Sequence, residues 1–220
     1  QAKKKIQSVQ SPKWNFKQIL HTLPLVVIGL LRTWTNKELD YQEHVSEYGV
    51  HWNFFFTMGI MALVPSFIPN TLRGTWILPT IILFGYQLVL SIGNLQGYIE
   101  TAPRKCDIYD YAPESSWLPC IGFLAANREG IFGCLGYLSL YFIGEFMGRK
   151  YLWTKRSMWK PTVGLILLFL VSTQLAPVSR RSTNLTFCLW AAAHNVLLLS
   201  LYELLLVKNG DLPIVLETVN

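Results

Sequence analysis

Long apolar runs with little or no charge alternate along this chain with short segments that hold most of the charged side chains. Six such runs fall near residues 18–34, 53–69, 76–94, 130–148, 161–176 and 184–207. The second is the clearest. From Phe54 to Pro69 no side chain is charged. A helix from Val50 to Pro69, at ~1.5 Å per residue, covers the ~30 Å of a bilayer core. Pro24 inside the first run is compatible with a span, because neighbouring helices can re-satisfy the carbonyl it frees. The pattern predicts an all-α, polytopic transmembrane helix bundle, a single domain with about six spans in residues 1–220. We find no internal repeat.

Composition agrees with the pattern. The chain is 51% hydrophobic and 14% aromatic, with a mean hydropathy of +0.31. Charged residues make up 15%, against ~25% in soluble domains. The net charge of +6 is therefore read loop by loop as an orientation signal, with no nucleic-acid partner expected. With the Lys3-Lys4-Lys5 end in the cytosol, alternation places Arg73, the Arg149–Lys160 segment and Lys208 there too. That side collects twelve of the nineteen Lys and Arg; the opposite side collects nine of the thirteen acids. The four cysteines, at 106, 120, 134 and 188, lack metal-ligand spacing, so no metal site is expected. Cys134 and Cys188 fall in apolar runs and read as buried small hydrophobes. Cys106 and Cys120 share a loop and can pair if that loop is lumenal. The chain starts at Gln1 without a signal-peptide pattern and ends as a new apolar run begins at Leu212. That is the pattern of a piece of a longer chain.

In this topology the polar groups gather at the non-cytosolic ends of the runs. His51 and Asn53 stand at the mouth of the second, with Thr57 four residues on, one helical turn from Asn53. An imidazole beside a polar helix face at a membrane boundary suits proton transfer on a lipid head group. The bland reading of the same residues is an interfacial histidine and a helix cap. Gln87, Ser91, Asn94 and Tyr98, spaced four, three and four apart, predict one polar stripe. It reads either as interhelical hydrogen-bond glue or as the lining of a cavity. Asn127-Arg128-Glu129 is expected just before the fourth span, as a substrate contact or an internal ion pair. Arg180-Arg181 stands before the sixth, where it either holds a substrate phosphate or snorkels to bulk lipid. His194-Asn195 lies deeper, roughly 15 Å past Asn184 along the helix. Such a pair must face a partner or a wet cavity. The sequon Asn184-Leu185-Thr186 is too close to the membrane to be modified.

Several stretches together resemble the inositol acyltransferase family of GPI-anchor synthesis, the PIG-W / GPI-anchored wall transfer proteins. They are Glu47-Tyr48-Gly49-Val50-His51-Trp52-Asn53-Phe54-Phe55-Phe56, Ala126-Asn127-Arg128-Glu129-Gly130 with Gly136-Tyr137, and Ser179-Arg180-Arg181-Ser182-Thr183-Asn184-Leu185. Trp190 and His194-Asn195-Val196 extend the last. The resemblance covers residues 37 to 207, and the first stretch is the specific one. The family pattern more often has Ala where this chain has Thr183. The resemblance implies a multi-pass endoplasmic reticulum membrane enzyme. Its reaction would move a fatty acyl group from acyl-CoA, a co-substrate with no bound cofactor, to the inositol hydroxyl of glucosaminyl-phosphatidylinositol. His51 is the candidate base. Asn53, Asn127, Arg128, Glu129, Arg180, Arg181, His194 and Asn195 are candidate substrate contacts. A lipid or solute transporter, a scramblase and a non-catalytic scaffold remain open on residues alone. An acyl-CoA requirement separates the first reading from these.

Overall fold

The computed structural model describes residues 16–38, 48–102, 122–152 and 157–209. All regular structure among them is helical. The basic N-terminal segment, the Cys106–Cys120 loop and the last residues from 210 lie outside the described residues.

In order, the helices are α1 (Phe16–Glu38), α2 (Phe54–Leu63), the single turn α3 (Asn70–Arg73), α4 (Ile77–Ile92), α5 (Leu95–Thr101), α6 (Gly122–Met147), α7 (Trp159–Ser172) and α8 (Leu185–Asn209). Local chemistry sets several of their ends. Asn53 is extended, and its Oδ1 accepts the N–H groups of Phe55 at 3.0 Å and Phe56 at 3.4 Å, an N-cap for α2. Pro65 converts the end of α2 into a 3₁₀ turn over Val64–Phe67. Asn94 stops α4 by adopting φ +47°, a left-handed conformation that asparagine tolerates. The chain bends there by 75° into α5. Asn127 is non-helical at φ −124°, ψ 19° and kinks α6.

Helix α6 is the centre of the bundle. Helices α2, α4 and α8 pack on it, α1 packs on α2 and α7 on α8. One apolar cluster fills the α6–α7–α8 side around Cys188, Leu189 and Val196. A second sits at the α4–α5 bend around Leu90 and Ile99. The third joins α2 to α6 through Met61, Leu138 and Phe142. Thr162 and Ser200 share a 2.6 Å hydrogen bond between α7 and α8, the polar contact that apolar helix pairs use in membranes. The outward faces of α1, α4, α7 and α8 are apolar and exposed, Ile81, Leu88, Leu167 and Leu204 among them. Hydrocarbon suits such faces and water does not.

Some sequence expectations change. Helix α6 begins eight residues before the expected start at 130, and α5 occupies what reads as loop. The polar 127–129 stretch dilutes the apolar run, but the structure buries it as helix because each group finds a partner. The expected Gln87–Tyr98 stripe is split by the bend at Asn94. By length and composition, two described helices qualify as spans, over Gly122–Tyr151 and Leu185–Leu205, or three if the bent pair α4–α5 counts as one. Helices α2 and α7 are apolar but shorter, and α1 is diluted by Thr22, Arg32 and Thr33.

The charged ends are distinct. Arg73 pairs with Glu145 at 2.9 Å, Arg149 also pairs with Glu145, and Arg149 Nη1 donates to the Asn70 carbonyl at 3.2 Å. The two segments that the charge count puts on one side of the membrane thus meet. A second group of polar side chains meets at the other end of α6.

Candidate functional site

The site grows from the kink at Asn127. The residue is fully buried. Its Oδ1 accepts the backbone N–H groups of His51 at 2.7 Å and Trp52 at 2.9 Å, and its Nδ2 donates to the Phe123 carbonyl at 2.9 Å. Val50 N–H adds a bond to the Ala126 carbonyl at 2.9 Å. The loop before α2 is therefore bolted to α6 by groups that would otherwise be buried without partners.

Two glycines make the approach possible. Gly49 has φ +121°, and a Cβ there would lie 2.5 Å from the Asn127 Cα. A Cβ on Gly130 would lie 2.2 Å from the Trp52 ring. The Trp52 indole N–H donates to Thr57 Oγ1 at 3.0 Å, and Asn53 Nδ2 donates to the Gly29 carbonyl at 2.9 Å and to Thr33 Oγ1 at 3.1 Å. Asn53 therefore both caps α2 and ties it to α1.

Next to this joint lies a buried charge cluster. The Arg128 guanidinium donates to the carbonyls of Ile99 at 2.8 Å, Ala102 at 2.5 Å and Ala125 at 3.2 Å, and stands over the Tyr98 ring at 5.6 Å. Glu129, whose side chain is 0% exposed, accepts from Arg181 Nη2 at 3.0 Å, with Arg128 Nε 4.0 Å away. Arg181 is 37% exposed, and its buried Nε has no hydrogen-bond partner. Arg180 is exposed and neighbours Tyr137. The 179–184 turn is held by Ser179 Oγ donating to Glu100 at 2.5 Å and by the Asn184 amide, which accepts Ser179 N–H at 3.2 Å and donates to the Pro177 carbonyl at 2.7 Å. Gly136 lets this turn reach α6, since a Cβ there would sit 2.3 Å from the Thr183 carbonyl oxygen. Gln87 accepts the Leu185 N–H at 2.9 Å, and the Tyr86 hydroxyl donates to the Ser182 carbonyl at 2.7 Å. Of the two readings of the polar stripe, Gln87 takes the interhelical one.

His51 differs from its neighbours. Its backbone is held, yet the side chain is exposed. It stands at one end of a groove of about 540 Å³ between α1 and α2. The walls are Thr22, Val26, Leu30 and Thr33 of α1, with Phe56, Gly59, Ile60 and Leu63 of α2, Trp52 and Phe123 closing the His51 end. The volume falls within the ~300–1,000 Å³ usual for ligand sites, and the lining is almost wholly apolar.

The described parts of the three stretches thus form one assembly on α6: residues 48–56 dock on 126–130, and 179–185 dock on 129–137. The family model described as GWT1 matches residues 1–212. The chain belongs to the GWT1 family. Among the relatives it resembles is glucosaminyl-phosphatidylinositol-acyltransferase PIGW of Mus musculus, 36% identical over 209 residues, covering 88% of this chain and 39% of that protein. GPI-anchored wall transfer protein 1 of Yarrowia lipolytica is 32% identical over 242 residues, covering 93% and 47%, and that of Schizosaccharomyces pombe 34% over 207 residues, covering 86% and 42%. The chain spans less than half the length of these relatives.

Within this GWT1-family chain, the structure sorts the sequence candidates into groups. His51, Asn53, Asn127, Arg128, Glu129 and Arg181 come together at one end of α6, with Arg180 beside them. Asn53, Asn127 and Arg128 commit their polar atoms to the chain itself, which holds the site in shape. His194 and Asn195 stand apart. Both are exposed, His194 stacks on Trp190 at 6.2 Å and Asn195 bonds to the Ala191 carbonyl of its own helix at 2.8 Å. The inward face of α8 at that level is Ala192, Ala193 and Val196, so this pair faces away from the packed core. Glu203 accepts the Met158 N–H at 3.0 Å, a cap for α7. Sequence reasoning passed over Glu100, Tyr86 and the three tight glycines. Only the glycines were visible, as members of the quoted stretches.

Proposed function

We propose that this chain forms part of a multi-pass endoplasmic reticulum acyltransferase of GPI-anchor synthesis. The full-length protein moves a fatty acyl group from acyl-CoA to the inositol hydroxyl of glucosaminyl-phosphatidylinositol. The observation that carries this reading is the apolar groove that ends at the exposed imidazole of His51. A tail-binding surface leading to one titratable group suits a long acyl chain with a reactive polar head. The names of the relatives agree with it. In this reading the chain crosses the bilayer about six times, α1, α2 and α7 being completed as spans by their packing partners.

The chemistry follows from the parts. His51 accepts the proton of the inositol hydroxyl as its oxygen attacks the thioester carbonyl carbon. The new C–O ester bond forms as the C–S bond breaks, and CoA leaves as the thiolate, taking up the proton that His51 received. No bound cofactor is required. The acceptor phosphate is held by the exposed part of the Arg181 guanidinium, with Arg180 beside it. Glu129 fixes the orientation of Arg181, and Asn127 fixes that of the His51 loop.

The test is His51→Ala in the full-length protein. It inserts normally and loses ~10²–10⁴-fold in turnover, the usual worth of a general base. Near wild-type turnover at saturating substrate would make His51 structural. One observation favours a second reading: the helix broken at Asn94 is of the kind that transporters place at substrate sites. A lipid translocator would move the glycolipid without acyl-CoA and leave its mass unchanged.

A further inference from the structure

We infer that Gly59 sets the length of acyl chain that the α1–α2 groove accepts; this rests on the acyltransferase reading above. Helices α1 and α2 run antiparallel. Asn53 meets Thr33, Phe56 meets Gly29, and Gly59 faces Val26. The groove runs along this seam from His51 to the level of Thr22 and Leu63. It is narrow at Phe56, where a Cβ on Gly29 would come within 2.8 Å of the ring. It is open one turn deeper. Gly59 is buried, yet a Cβ built there meets only Val26 Cγ2 at 3.8 Å.

Nothing in the backbone calls for glycine at this position. Its φ is not positive, and no other backbone approaches it within 4 Å. Glycine is also a poor helix former. What it supplies is volume. From Gly59 to Leu63 the groove extends by four residues, or ~6 Å along the axis. At roughly 1.25 Å per methylene, the projection of a ~1.5 Å carbon–carbon bond, that depth holds about five carbons. A side chain at 59 would fill it and leave the His51 end untouched. The occupant is an acyl chain rather than a polar ligand, because the walls offer it almost no hydrogen-bonding group between Thr33 and Thr22.

The experiment compares full-length wild type with Gly59→Ala, Gly59→Leu and Gly59→Phe, supplying medium-chain and long-chain acyl-CoA in competition. Gly85→Leu is the control, since that glycine faces open space on α4 away from the groove. A photoreactive long-chain acyl-CoA maps the bound tail. We expect the long-to-medium ratio of kcat/KM to fall ~10-fold or more for Leu and further for Phe, since single methylenes in a filled apolar pocket already discriminate roughly 10–200-fold. The photoprobe labels α1 and α2 in wild type and loses its deep contacts in Gly59→Leu. An unchanged ratio with labelling still in the groove overturns the role of Gly59 and leaves the acyltransferase reading standing. Equal loss with both donors in a folded Gly59→Leu also overturns it. Labelling that maps outside α1 and α2 removes the groove as the acyl site altogether. If the larger variants fail to fold, Gly59→Ala, which favours the helix, carries the test as a smaller shift in the same direction; no shift there counts against the inference.

Discussion

Glu129→Gln tests whether the buried charge cluster holds the site together. Two guanidinium groups converge on this carboxylate, Arg181 at 3.0 Å and Arg128 at 4.0 Å, and its side chain has no exposed surface. Glutamine keeps the shape and removes the charge. Arg128, 2% exposed, then loses the charge of its neighbour at 4.0 Å, and Arg181 loses its charged partner at 3.0 Å. Breaking a buried pair by removing one member costs ~3–5 kcal/mol, because the remaining charge stays desolvated. Arg181 is partly exposed and can turn outward, so we expect the lower part of that range, about 3 kcal/mol. The assay is thermal unfolding of the detergent-purified full-length protein, with acyl transfer measured in parallel. Glu129→Gln with Arg181→Met should recover a substantial part of the loss, since the cation that faced the carboxylate at 3.0 Å is gone as well. The coupling expected for neighbours in one network is ~0.5–3 kcal/mol. A Glu129→Gln protein within ~1 kcal/mol of wild type, or a double variant whose losses simply add, would refute this reasoning. The carboxylate would then belong to substrate chemistry instead.

Gly130→Ala should destabilise the protein by ~1–3 kcal/mol or more, since its Cβ would overlap the Trp52 ring; Trp52→Ala in the same chain should restore part of the loss in the same unfolding assay. Arg181→Lys keeps the charge and loses the planar fork, so the apparent KM for the glycolipid should rise several-fold while that for acyl-CoA stays put. A rise in the acyl-CoA KM instead would move this arginine to the donor site. His51→Ala and the Gly59 series complete the set, one reading proton transfer and the other the length of the groove.

Helix class and the approximate positions of six apolar segments were legible in the sequence because an apolar helix satisfies its backbone locally. A backbone in hydrocarbon must satisfy itself within each segment, so long uncharged runs report helices one at a time. The cap at Asn53 was legible for the same reason, since it acts within three residues of itself. The common location of His51, Asn127, Arg128, Glu129 and Arg181 was legible only as an end of the bundle. Which of them are scaffold and which are available was not. Asn127 looks like a polar residue at a membrane boundary until its amide is seen to hold the His51 and Trp52 N–H groups from 76 and 75 residues away. The early start of α6 and the outward turn of His194 are likewise decided by partners distant in the chain. Gly49, Gly130 and Gly136 matter through atoms of other segments that press on them. The groove lies between two helices, where Gly59 of one faces Val26 of the other. Sequence periodicity carries the interactions a helix makes with its solvent, whereas these features arise from contacts between segments, and only the packed bundle determines them.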